Sequence, residues 1–181
     1  GKGTTWEGGQ RVPCIVWYPN EIKSNIKIST PLMGIDWLPT FANVTKANLS
    51  ENKIDGKNIW DVLTSKTKKD PHEALFFYYH RNSLHAVRYG DYKMYFPHRY
   101  RTLNGREGRD DGVPIKYEYV DLKNNELYNL KTDPSESTNI IEDFPEIVKQ
   151  IQHLANKKRQ EIGDDLFGIT GNEIREVGLI D

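Results

Sequence analysis

Phe144, Ile147, Val148, Ile151, Leu154, Ala155 and Ile162 fall on one face of a 3.6-residue period. A helix with so continuous an apolar face must lie against another apolar layer, and this requirement constrains the chain more than any other feature. Asp143-Phe144-Pro145-Glu146 reads as a capping box at its start, and Gly163 supplies a stop. The partner layer is written upstream as strands. Ala74 to His80 is an aromatic run, in which Phe76-Phe77-Tyr78-Tyr79 reads as core rather than as a carbohydrate platform. Leu84 to Tyr89 and Tyr92 to Phe96 flank Gly90-Asp91, a two-residue hairpin signature. Tyr117 to Leu122 and Glu126 to Leu130 flank Lys123-Asn124-Asn125, a looser hairpin. The expected fold is α+β: a small antiparallel sheet of about four strands, packed by a C-terminal amphipathic helix. Pro97 to Pro114, rich in Arg and Gly, reads as a long functional or mobile loop.

The first half of the chain is less regular. Glycines at 1, 3, 8 and 9 make the opening a loop. Val12 to Pro19 is a short apolar run bounded by prolines and reads as a strand buried on both faces, with Cys14 as a small buried hydrophobe. Such a strand needs partners that the sequence before it does not supply. Asp36 is placed to cap a short helix through Trp37, Leu38, Phe41 and Ala42, with Pro39 in its first turn. Asn58 to Leu63 reads as another turn or two of helix, and residues 64–73 as a polar linker. Domain boundaries follow: 1–66 as the end of one domain and 67–181 as another. Residues 164–181 carry no clear pattern.

Charge and composition exclude several functions. Lys and Arg total 25 against 26 Asp and Glu, a net charge of −1, which offers no basic field for nucleic acid or an anionic membrane. No run of 18 apolar residues is present. The single cysteine allows neither an internal disulfide nor a Cys-based zinc cluster. His72, His80, His85 and His153 share no metal-ligand spacing, and no metal ligand is assigned in this chain. Gly1-Lys2 is not a P-loop, because Gly3 separates the lysine from Thr4 and Trp6-Glu7-Gly8-Gly9 cannot make a good helix. Lys2 in its glycine-rich loop still suits an anion; a solvated lysine is the plainer alternative. Glu7 and Arg11 read either as an ion pair or as two solvated charges. His98, Arg99 and Arg101 surround Tyr100, a set that binds an acidic sugar by charge and ring stacking or forms a plain basic loop. Asn43-Val44-Thr45 and Asn48-Leu49-Ser50 fit the N-glycosylation pattern.

Several motifs together are more specific than any one. The string from Gly1-Lys2-Gly3-Thr4-Thr5 through Trp6-Glu7-Gly8-Gly9 to Gln10-Arg11-Val12-Pro13 closely resembles a signature of the formylglycine-dependent sulfatases. Glu126-Leu127-Tyr128-Asn129-Leu130, Asp133-Pro134-Ser135-Glu136 and Asn139-Ile140 resemble a block near the C-terminus of that family. Asp36-Trp37-Leu38-Pro39-Thr40, Asp55-Gly56-Lys57 and Arg88-Tyr89-Gly90-Asp91-Tyr92-Lys93 are similar to its landmarks in the same order. The resemblance covers residues 1–163.

The resemblance implies the C-terminal portion of a sulfatase, preceded by a remnant of its α/β N-terminal domain, cut inside that domain. It implies a sulfate contact for Lys2, as a catalytic residue, and a place near the mouth of the substrate pocket for His98, Arg99 and Arg101. Cys14 does not match the family's nucleophile motif. The formylglycine, the histidines and the Ca2+ ligands of the parent have no counterpart here, so the fragment is expected to be inactive and free of cofactor. Implied partners are a sulfated carbohydrate or aryl sulfate, with self-association through surface that truncation exposes; nucleic acid and membrane are not expected. The implied location is periplasmic, secreted or lysosomal. Two other functions stay open: an acidic-glycan binding module, and a relative of the alkaline-phosphatase superfamily acting on phosphate esters or phosphonates.

Overall fold

The computed structural model describes residues 3–175. Their helical segments are α1 (Glu7–Gln10), α2 (Trp37–Thr45), α3 (Trp60–Leu63) and α4 (Pro145–Ile162). Their strands are β1 (Leu75–Tyr79), β2 (Ser83–Tyr89), β3 (Tyr92–Tyr95), β4 (His98–Thr102), β5 (Glu118–Leu122) and β6 (Glu126–Asn129). Two compact units emerge: residues up to Val12 together with those from Ala74 onward, and Pro13–Glu73. By packing, the opening loop belongs with the later sheet.

The first unit is the expected α+β layer pair. An antiparallel sheet runs in the order β1-β2-β3-β6. Alternation along its strands sends Leu84, Val87, Met94, Phe96 and Leu127 to one face, where Ile151 and Ala155 of α4 cover them. Tyr89 pairs with Tyr92 around Gly90-Asp91. Positive φ falls on Gly90, at 56°, the first residue of the turn, where type II′ geometry needs glycine. The register of β1 on β2 slips between Phe77–Ala86 and Tyr78–Leu84, leaving His85 as a bulge.

The second hairpin is not formed. β5 pairs with β4 in a separate two-stranded ribbon, and β6 pairs with β3. The first third of the expected 97–114 loop is therefore strand, and Lys123-Asn124-Asn125 connects two sheets. No capping box opens α4 either. Phe144 is the N-cap without a side-chain bond, Pro145 begins the helix, and Asp143 sits in a preceding 3-10 turn. A proline at the first helical position brings the required φ and lacks the N–H that a cap would satisfy. Gly163 does end the helix, with φ 88°.

In the second unit, Ile22, Ile59 and Leu63 are buried with Val16, Ile28, Leu32, Trp37 and Trp60 around them. Asp36 is fully buried and does not cap α2 through its side chain. Its carboxylate instead accepts from the Met33 N–H (2.7 Å), the Lys57 N–H (2.9 Å) and His72 Nε2 (2.8 Å). Thr40 Oγ1 donates to the Asp36 carbonyl and accepts from the Ile59 N–H. A Cβ at Gly56 would lie 2.2 Å from the Ile35 carbonyl oxygen, so only glycine lets that strand of chain approach. The Asp-Trp-Leu-Pro-Thr and Asp-Gly-Lys motifs are thus two halves of one hydrogen-bonded clasp. The apolar run from Val12 is not a buried strand. Ile15 is 95% and Trp17 84% exposed, Cys14 is exposed, and no partner strand meets them among the described residues.

Candidate functional site: a loop held on the second face of the sheet

The face of the sheet opposite α4 carries Phe77, Ala86, Lys93, Tyr95 and Tyr128, the odd partners of the core residues in the two-residue alternation. Across it lies the glycine-rich loop. Trp6 stacks on Tyr95 at 4.0 Å between ring centroids and meets Tyr100 and Tyr128 edge-on at 5.5 and 5.7 Å. Beneath the loop, Lys93 is fully buried. Its ammonium donates to the Thr5 carbonyl (2.6 Å) and Glu7 Oε1 (2.8 Å), and lies 3.4 Å from Glu136 Oε1. Glu136 also accepts from the Tyr95 hydroxyl (2.5 Å) and the Glu7 N–H (2.7 Å). The Tyr95 hydroxyl oxygen also lies 3.1 Å from the Thr5 carbonyl oxygen, while its single proton goes to Glu136. Burial, and then the Glu136 carboxylate, push the Tyr95 phenol far above its ordinary range, so it stays a hydrogen-bond donor.

Glu7 therefore pairs with Lys93, not with Arg11, which is exposed. The site draws one residue from each of three motif strings: Glu7 from the opening loop, Lys93 from the hairpin, Glu136 from the Asp-Pro-Ser-Glu block. The last string is built to deliver its glutamate. Asp133 accepts from the Ser137 and Thr138 N–H groups at 2.7 and 2.9 Å, closing a turn in which Glu136 adopts φ 55°. Those bonds, the Thr138 N–H first among them, hold the Asp133 carboxyl below its usual range. Asn139 Oδ1 accepts from the Leu127 N–H and fixes the block to β6.

The ribbon of β4 and β5 borders the loop. Arg99 lies over the Tyr119 ring at 4.9 Å and Arg101 over Tyr117 at 4.7 Å, two parallel cation–π contacts. The Arg99 side chain is 68% exposed. Arg101 also reaches the opening loop: a Cβ at Gly3, where φ is 94°, would fall 1.6 Å from its guanidinium. His98 stands apart from the two arginines. It is buried, stacks on His85 at 3.9 Å, and donates Nδ1–H to the Phe96 carbonyl at 2.6 Å. Burial lowers its pKa. Of the residues singled out from sequence, Arg99 and Arg101 share one surface, His98 lies inside, and Lys2 is outside the described residues. Lys93, Glu136 and Tyr95 were not singled out. Their one legible signal was that they sit in or beside the same strings as the motifs.

Among the described residues no set of three or more His, Cys, Asp or Glu side chains is arranged to hold a metal ion. The buried carboxylates Glu7 and Glu136 are already committed to Lys93 and Tyr95, so the residues present do not fit the calcium that the family resemblance implies. No helix among them is long and apolar enough to cross a membrane.

A family model for the C-terminal region of aryl-sulfatase matches residues 70–172. Arylsulfatase G of Rattus norvegicus is 30% identical over 171 residues, covering 91% of this chain and 31% of that protein. Arylsulfatase A of Homo sapiens is 30% identical over 179 residues, covering 93% of this chain and 34% of that one. The chain thus spans about a third of the length of these relatives. A solved structure described under metabolism of multiple glycosaminoglycans by Bacteroides thetaiotaomicron superposes with a TM-score of 0.68 at 26% identity, over 88% of this chain and 31% of that one. The strings that converge on Lys93 are thereby placed in a known lineage: the chain belongs to the sulfatase family and corresponds to its C-terminal portion.

Proposed function

We propose that this chain is the C-terminal portion of a longer enzyme that hydrolyses sulfate esters, with sulfated glycans as its natural substrates. In this reading residues 1–66 close the catalytic domain and 67–181 form the subdomain beside it. Lys2 contacts the sulfate, and its ammonium stabilises charge on the sulfuryl oxygens as the ester bond breaks. Arg99 and Arg101 line the rim and hold acidic groups of the glycan. His98, buried behind them, supports the ribbon rather than meeting the ligand. The formylglycine nucleophile and the calcium implied by the family would come from the part of the enzyme outside this chain, and the 181-residue chain alone is inactive. The parent works in the periplasm, outside the cell or in a lysosome. Exposed Ile15 and Trp17 favour self-association of the isolated chain.

The observation that carries the reading is the packing of Gly3 under Arg101. It sets the opening loop against the basic ribbon at Gly3. The glycosaminoglycan context of the solved relative agrees with a sulfated sugar. A second reading, a stand-alone module for acidic glycans, is favoured by the Arg99–Tyr119 and Arg101–Tyr117 pairs, which present charge and ring surface together. Sulfate release from a simple aryl sulfate separates the two. In the longer enzyme, Lys2→Ala is expected to slow release roughly 100-fold or more, and the chain alone is expected to release none. An unaffected Lys2→Ala enzyme would refute the role of Lys2. Turnover by the chain alone would refute its inactivity. Binding of the chain alone to a sulfated-glycan array, lost in Arg99→Ala and Arg101→Ala, would favour the module.

A further inference from the structure

The edge of a sheet is a row of backbone N–H and C=O groups able to pair with another strand. The edge strands of the four-stranded sheet are β6 and β1. The β6 edge is covered: the Leu127 N–H donates to Asn139 Oδ1 at 3.0 Å, and the Leu127 carbonyl accepts from the Ile140 N–H at 2.9 Å. The separate ribbon carries charges on both strands, Arg99 and Arg101 on β4 and Glu118 and Asp121 on β5, which discourage further pairing. β1 has neither protection. Leu75-Phe76-Phe77-Tyr78-Tyr79 holds no charge, proline or glycine. All five residues are half-buried, and among the described residues their backbone bonds only to β2. Aromatic residues of this kind favour strand pairing.

We propose that β1 is the pairing edge for a second copy of this chain, joining two four-stranded sheets antiparallel about Phe77 into one continuous sheet. The sequence around β1 is self-complementary for that arrangement. Residues directly opposite each other in an antiparallel pair lie on the same face. Pairing centred on Phe77 sets Phe77 against its own counterpart, Phe76 against Tyr78 and Leu75 against Tyr79, so every rung is apolar or aromatic. Phe76 and Tyr78 pack on the α4 face and Phe77 on the opposite one, so the faces of the two sheets agree. The flanks add charge. Glu73, just before β1, meets Arg81, just after it, once on each side of the two-fold axis. Both residues are exposed, and neither has a partner of opposite charge among the described residues. The same patch serves on both copies, so the contact closes at two.

Sedimentation of the 181-residue chain tests the pairing, with Ile15→Ser and Trp17→Ser present throughout so that the exposed apolar run contributes nothing. The chain is expected to dimerise with a dissociation constant of about 50 µM or below, and to stop at two copies. Glu73→Arg and Arg81→Glu each turn both flanking contacts into like-charge pairs. Either alone is expected to weaken the dimer roughly tenfold. Mixed in equal amounts, the two variants are expected to pair within about threefold of the parent, because the antiparallel register again sets an arginine against a glutamate at both ends. Both positions are exposed, so the fold tolerates either change. A chain still monomeric at about 500 µM overturns the proposal. So does growth beyond two copies, a dimer indifferent to the charge reversals, or variants that fail to recover on mixing. In the longer enzyme, amide exchange across residues 75–79 is expected to speed up on dilution through the same transition. Protection of β1 that persists in a monomer means that another segment of that enzyme covers the edge, and overturns the proposal as well.

Discussion

Acid should loosen the sheet through the buried imidazole of His85. His85 occupies the β-bulge, buried, stacked on His98 at 3.9 Å and facing the edge of Tyr79 at 5.8 Å. Burial first, then the neighbouring His98 and His80, lower its pKa from the ordinary 6.5 to about 3. The folded value lies below the unfolded one, so between them the unfolded chain binds the extra proton. The stability that neutral His85 contributes is complete above about pH 6.5 and is lost as pH falls towards about 3. From pH 7 to pH 5 that loss integrates to about 2 kcal/mol, or roughly 25-fold in the opening equilibrium. Hydrogen exchange at the Met94 and Tyr95 amides reports this opening without assuming that the two units unfold together. Comparing wild type with His85→Gln at each pH cancels the intrinsic dependence of exchange on pH. His85→Gln is expected to weaken protection at neutral pH through lost stacking. Its further loss on going to pH 5 should be about 2 kcal/mol smaller than that of the wild type. Equal losses in the two proteins would refute the assignment of the acid sensitivity to His85.

Two substitutions test the packing. Gly56→Ala places a methyl group against the Ile35 carbonyl at 2.2 Å, and should cost roughly 1–3 kcal/mol, read as faster exchange at the Lys57 and Ile59 amides; unchanged exchange would mean that the clasp on Asp36 is slack. Ile151→Ala removes a fully buried side chain from the joint between α4 and the sheet. It should cost about 2–5 kcal/mol in the opening of β2 and β3, and a cost under about 1 kcal/mol would contradict the assigned core.

What the sequence made legible was local. The period of α4, its glycine stop and the Gly90-Asp91 turn depend on residues within a few positions of one another, and each formed as read. The pairing of β4 with β5 did not declare itself, because His98 to Thr102 is masked by arginines whose rings of contact, Tyr117 and Tyr119, lie well downstream. Val12 to Trp17 misled for the opposite reason: apolar β-branched residues make a strand only where another strand is available to pair. Asp36 looked like a cap because helix caps are aspartates in that position, yet Lys57 and His72 claim its carboxylate from 21 and 36 residues away. The candidate site was least legible of all. Glu7 lies 86 positions from Lys93 and 129 from Glu136, whose carboxylate accepts its N–H, and no periodicity connects them. A lysine between Tyr92 and Met94 in a strand reads as exposed until the loop that covers it is known. Glu7, Lys93 and Glu136 each lie in one of the family strings, but a signature does not carry the reason that holds them together.

That reason is the docking of the opening loop on the sheet, and nuclear Overhauser contacts from the Trp6 indole test it most directly. The account predicts contacts from Trp6 to the rings of Tyr95, Tyr100 and Tyr128, whose centroids lie 4.0, 5.5 and 5.7 Å away. A Trp6 indole with free-chain shifts and no contact to Tyr95, in a chain whose β2–β3 hairpin is formed, would contradict it.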